Sequence, residues 1–447
     1  MSAAPAVSAG DTAWLLVSTA LVMLMTPGLA FFYGGLVRGK SALNTMLMSV
    51  VALAVVTVQW VAGGYSLAFA GEGGVVGPLT WRLLDGVGAA PNAAYAATVP
   101  HLLYAAYQAM FAGITVGIIS GAVVERMRFR AYLLFTVLWT TLVYDPLAHW
   151  VWGAGGWLKR LGALDFAGGT VVHISAGSAA LVAALAMGRR RGLDRQPPVP
   201  HNVPFTLLGA GLLWFGWFGF NAGSALAADG VATNALVTTH AAASAAMLAW
   251  LALEALRGGR PSAVGAATGA VVGLVAITPA AGYVTPAGAL ALGALAAPAS
   301  FAVLHLRART RVDDALDVFA CHGVGGVVGA LLTGVFATRA VNPAGADGLL
   351  AGNAALLGAQ AVAVLVTLGF AGALTAGILA LVRVVSPLRV ATSEEIDGVD
   401  LTQHGESAYH GEASDLAGQG IALGGSVYLP PSEVAVYAER PPVASRA

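Results

Sequence analysis

The chain has 447 residues, 57% of them hydrophobic and only 10% charged, with a mean hydropathy of +0.77. Soluble domains carry about a quarter charged residues, so this composition excludes an ordinary soluble protein and points to a chain whose solvent is the bilayer. Lys+Arg and Asp+Glu balance at 22 each, which gives no field for a nucleic-acid partner, and the lone Cys321 excludes an intramolecular disulfide or a multi-cysteine metal cage.

A membrane-spanning helix needs about 20 predominantly apolar residues. Eleven runs meet or nearly meet that length: Trp14–Val37, Ala42–Ala70, Leu102–Val124, Ala131–Trp150, Phe166–Gly188, Phe205–Ala228, Val231–Leu256, Ser262–Pro279, Thr285–Leu306, Val318–Ala337 and Ala351–Val382. The first ten residues hold no basic segment, so the first run is expected as a retained helix rather than a secretory signal. Sixteen Lys and Arg residues follow odd-numbered spans, among them Arg38, Arg126, Arg190, Arg257, Arg307 and Arg389. Only Arg82, Lys159, Arg160 and Arg339 follow even-numbered ones. Cytoplasmic loops carry the positive excess, which predicts an all-α membrane protein of eleven transmembrane helices with the N-terminus outside and the C-terminus inside. An odd number of spans per half makes inverted five-helix repeats possible, and such repeats place a substrate path near the bilayer midplane. Residues 1–389 are expected as the transmembrane domain and 390–447 as a cytoplasmic regulatory region. The stretch 411–447 is rich in Gly, Pro, Ser and Glu and is expected to be flexible.

Within this frame a few polar residues stand out. Gly34-Gly-Leu-Val-Arg-Gly39-Lys40-Ser41 fits the phosphate-loop pattern, but a bilayer-length apolar run precedes it where a strand is required. It reads as a helix end with basic anchors. His173 and His322 interrupt the fifth and tenth runs, at corresponding places in the two halves. An ionisable side chain at hydrocarbon depth usually marks a pathway or site; the plain alternative is a histidine satisfied by a neighbouring helix. Asp165, eight residues before His173, is placed to cap a helix start. It can also steady a cation near a mouth, through water. Trp214, Trp217, Phe218 and Phe220, followed by Asn221 and Ser224, form an aromatic-rich stretch, and Tyr107, Phe111 and Trp152 lie towards the outer side. Rings hold cations over their faces, although aromatics also form plain interface belts. Cys321 reads as a small packing residue.

Phe31-Phe-Tyr-Gly-Gly-Leu-Val-Arg-Gly-Lys40, Asp165-Phe-Ala-Gly-Gly-Thr-Val-Val-His173, Gly216-Trp-Phe-Gly-Phe-Asn-Ala-Gly-Ser224, Arg311-Val-Asp-Asp314 with Asp317-Val-Phe, and His404-Gly-Glu-Ser-Ala-Tyr409 resemble the ammonium transporter (Amt/Mep/Rh) family, from about Trp14 to Tyr409. The resemblance implies a non-enzymatic ammonium transporter of a bacterial inner membrane, without a cofactor. It implies an outer substrate site of Phe111, Trp152 and Ser224 supported by Asp165, a gate of Phe111 and Phe220, and pore histidines His173 and His322. Tyr107 and Trp217 are expected in the vestibule, Tyr107 making its rim more polar. The family also implies a homotrimer and a PII-type signal protein at the cytoplasmic face.

Physical chemistry fits that expectation. NH4+ matches K+ in size and differs in being able to lose a proton, so an apolar pore with two neutral imidazoles selects by deprotonation. The rivals are a neutral NH3 or CO2 gas channel and an ammonium sensor. A polytopic metalloenzyme is disfavoured because no HExxH or clustered His/Asp set occurs.

Overall fold

The computed structural model describes residues 6–193 and 199–409, and regular structure among them is helical apart from two isolated bridges, Asn92–Ala96 and Met127–Arg389. The expectation of flexibility in 411–447 lies outside the described residues, as does Arg195. Among the described residues, ten helices are long and apolar enough to cross a membrane. They are α1 (Ala9–Leu36), α2 (Gly39–Phe69), α3 (His101–Ser120), α4 (Phe129–Val151), α5 (Gly169–Met187), α6 (Val203–Ala225) and α7 (Gly230–Leu256), then α9 (Pro286–Arg307), α10 (Phe319–Phe336) and α11 (Ala354–Val385). The eighth predicted span is the shorter α8 (Ala263–Ile277), 15 residues long. Its successor residues, 278–282, are buried turns rather than helix.

Helix starts are written in the sequence. Ser8, Asn202, Asp229, Ser262, Thr285 and Asn353 each accept a backbone N–H two or three residues on, satisfying groups that a helix leaves orphaned. The phosphate-loop-like segment is the end of α1 followed by a single 3-10 turn, Gly39–Ser41, that opens α2. Leu16, Val58, Leu248 and Leu365 are exposed along the spans, an outer surface suited to lipid. Small residues let the helices close on one another: a Cβ on Gly209 of α6 would stand 2.2 Å from the Phe32 nitrogen of α1.

The loops after odd-numbered spans gather on one face, here the arginine-rich face. There the Arg190 guanidinium binds Asp313 (2.9 Å) and Glu125 (2.6 Å), and Arg38 binds the other oxygen of Glu125 (2.7 Å). Burial raises the Glu125 pKa, but the two guanidiniums outweigh it and hold the group below its usual range. This network ties the ends of α1, α3 and α5 to the loop before α10. After α11 the chain returns over the same face through two short helices, α12 (Thr392–Asp397) and α13 (Val399–His404). Asp400 accepts from the Leu43 and Asn44 amides at the start of α2 (3.0 and 2.7 Å), and Glu395 pairs with Arg389 (2.7 Å).

Candidate functional site

Two cavities approach the centre of the molecule from opposite faces. One, of about 610 Å³, lies opposite the arginine-rich face and is lined by Phe111, Trp152, Asp165 and Ser224. The other, of about 830 Å³, opens among Arg189, Arg190, Arg257 and Arg307 and ends on Cys321 and His322. Between them lies a space of about 10 Å³, walled by Met25, Leu29, Ile114, Ile118, Leu213 and Val271 together with His173, His322, Trp217 and Phe220. That volume is at the lower limit for one water-sized molecule.

At the floor of the first cavity Phe111 and Phe220 stack at 4.2 Å with 29° between their planes. Trp152 stands edge-on to Phe111 at 6.2 Å, its indole N–H donating to the Asp165 carbonyl (2.9 Å). The Asp165 carboxylate is itself fully engaged. It accepts from the amides of Gly168, Gly169, Thr170 and Val171 (2.6–3.2 Å) and from the Thr170 hydroxyl. Gly168, at φ +111°, allows the chain to wrap round the carboxylate before the helix begins. Asp165 therefore caps α5 from four residues before its start, so the eight residues to His173 are not two turns of continuous helix.

His173 lies in a π-helical turn, Gly169–Ile174, and His322 in another, Phe319–Val324. Such turns place a side chain out of regular register and recur at functional sites. The two helices enter from opposite faces, and each carries its histidine in its opening turns. Their backbones touch: a Cβ on Gly177 would sit 2.3 Å from the Gly323 Cα. The rings come together with Nδ1 to Nδ1 at 3.3 Å, and both side chains are buried. One Nδ1 must donate and the other accept, which fixes complementary tautomers. His173 lies parallel to Trp217 (5.4 Å) and Phe220 (6.0 Å), and its Nε2 is buried with no hydrogen-bond partner.

On the arginine-rich side, α10 begins at Phe319 with its amide on Asp314 (2.7 Å). Asp317, at φ +57° and paired with Arg307 (2.5 Å), lines the large cavity; burial pushes its carboxyl up to about 6.

The predicted residues Phe111, Trp152, Asp165, Phe220, Ser224, His173 and His322 thus fall along one line. Two placements differ from expectation. Trp217 is not in the vestibule but deeper, beside His173, where its indole N–H donates to Thr278 (2.9 Å). Tyr107 is wholly buried behind the vestibule wall rather than on its rim, its hydroxyl turned to α6. The Glu125–Arg190–Asp313 network escaped sequence reasoning. Its only signal was acidic residues amid arginines at span ends.

Three comparisons bear on this arrangement. The profile described as the Ammonium Transporter Family matches residues 13–409. An ammonium transporter of Bacillus subtilis is 50% identical over 401 residues, covering 90% of this chain and 98% of that one. The crystal structure of Candida albicans Mep2 superposes with a TM-score of 0.83 at 35% identity, covering 97% and 91% of the two chains. A solved sensor Amt protein gives a TM-score of 0.81 at 29% identity, covering 88% and 98%.

Proposed function

The chain belongs to the ammonium transporter family, and on that premise we propose that it moves ammonium across the membrane by separating the ion from one proton. NH4+ is recruited in the 610 Å³ cavity against the faces of Trp152 and Phe111, with Ser224 as acceptor. Asp165 acts there by holding the start of α5 and the indole of Trp152 in place. The stacked Phe111 and Phe220 gate the way down.

The observation that carries the proposal is the histidine pair, Nδ1 to Nδ1 at 3.3 Å in a lumen of about 10 Å³. A bare ion in such a space faces a desolvation cost of several kcal/mol. NH4+ escapes it by giving up a proton, which passes along the Nδ1–Nδ1 contact of the paired imidazoles while NH3 crosses the lumen beside them. K+ and Na+ have no such route. The arginine-rich face is cytoplasmic by the positive-inside rule, so re-protonation occurs in the 830 Å³ cavity. Location in a bacterial inner membrane, a homotrimer and docking of a PII-type protein on the cytoplasmic face complete the proposal, and these rest on the family.

The experiment is electrical recording on proteoliposomes with ammonium, methylammonium and K+. Ammonium-evoked current without K+ current supports the reading. Ammonium flux without current would make the protein a neutral-gas channel. The likeness to a sensor Amt protein keeps one further reading in play, and binding without any flux would select it.

A further inference from the structure

Tyr107 is buried and does not line the outer cavity, yet its hydroxyl lies in a cluster of oxygens at the end of α6. The phenol oxygen is 2.8 Å from the Gly219 carbonyl, 3.0 Å from the Phe220 carbonyl and 3.2 Å from the Ser224 hydroxyl. The Ser224 hydroxyl in turn donates to the Phe220 carbonyl at 2.8 Å. It fits there because residue 223 is glycine: a Cβ on Gly223 would come 2.7 Å from the phenol oxygen.

Counting hydrogens decides what the cluster can do. Four oxygens share only two hydroxyl protons, one from Tyr107 and one from Ser224. With the Ser224 proton on the Phe220 carbonyl and the phenol proton on the Gly219 carbonyl, the serine oxygen has only lone pairs left for the vestibule that it lines. Both carbonyls belong to the last turns of α6, the negative end of that helix. The same phenol ring packs edge-on against Phe111 at 4.9 Å.

We propose that Tyr107 is a positioning residue for ammonium recognition: its hydroxyl, with the Gly219 and Phe220 carbonyls, holds the Ser224 hydroxyl as a pure acceptor facing the N–H bonds of the incoming ion. This inference rests on the outer site proposed above. Without the phenol oxygen, the Gly219 carbonyl keeps only the Gly223 amide as donor, and the serine hydroxyl loses its neighbour at 3.2 Å and is free to turn its proton into the vestibule. In that orientation it opposes a cation that can only donate.

The test is a double-mutant cycle read as half-saturating ammonium in current recordings on proteoliposomes, with the wild type, Tyr107→Phe, Ser224→Ala and the double variant. Tyr107→Phe is expected to raise half-saturation about threefold to tenfold, the worth of one hydrogen bond, and to change it more than it changes maximal current. On the Ser224→Ala background it should add nothing, because the group through which it acts is gone. An equal rise on both backgrounds, or no rise in Tyr107→Phe while Ser224→Ala is impaired, would overturn the inference and leave the outer site standing. An unchanged half-saturation in Ser224→Ala would overturn the outer site and this inference with it.

Discussion

Replacing His173 with aspartate tests whether the cost of an unshed charge is what excludes K+. The wild-type lumen offers an ion two neutral rings and apolar walls in a space of about 10 Å³, with a barrier of several kcal/mol. A carboxylate in place of the imidazole brings a full negative charge to that space. At a separation of about 4 Å and an effective dielectric constant of about 20, the attraction is worth about 4 kcal/mol. Each 1.4 kcal/mol is about tenfold in rate, so K+ conductance should rise by about three powers of ten if the carboxylate is ionised when the ion arrives. The assay is solid-supported membrane recording on proteoliposomes with an imposed K+ gradient, on protein checked for a single elution peak. A folded His173→Asp variant whose K+ current equals that of the wild type would refute the electrostatic account of selectivity.

Three further substitutions probe the parts around the pore. Phe111→Ala removes one ring of the stacked pair at 4.2 Å and should raise methylammonium flux several-fold; an unchanged flux would remove the gate assignment. Glu125→Gln breaks a buried pairing with Arg190 and Arg38, at a cost of about 3–5 kcal/mol measurable as a lower Tm in detergent. Because the folded pKa of Glu125 lies below its usual value of 4.5, its stabilisation is complete above that value and is lost as pH falls through the folded pKa. The Tm gap between variant and wild type should therefore close in acid, and a gap independent of pH would count against the ion pair. Gly177→Ala drives a methyl group into the Gly323 backbone, an overpacking that costs about 1–3 kcal/mol or more. It should depress both Tm and ammonium current, and a variant with wild-type current would show that the helix contact does not set the pore.

The spans were legible because two independent signals, apolar run length and the alternation of arginines, agree on where the chain turns. α7, predicted from Val231 and observed from Gly230, shows how closely an apolar run locates a helix. His173 and His322 were legible for the opposite reason, as polar residues where the solvent permits few. What sequence could not supply was depth and facing. Trp217, expected in the vestibule, and Phe220, expected at the gate, are three residues apart on one helix, yet both rings lie against His173. Tyr107 was expected in the vestibule from the family resemblance, and the carbonyls at the end of α6 that its hydroxyl meets account for its burial. The Arg190–Asp313 pair joins residues 123 positions apart, a separation that leaves no periodic trace.

The glycine meeting between α5 and α10 has a mechanical consequence. No side chain lies between the two backbones where Gly177 faces Gly323, so no rotamer change there can widen the gap between the imidazoles. The bore is set by main-chain atoms already in touch, and it will behave as a fixed-calibre sieve rather than a breathing valve. On the proposed path, guests bulkier than ammonia, methylamine among them, should pass that level more slowly, with gating motion assigned to the phenylalanine pair above.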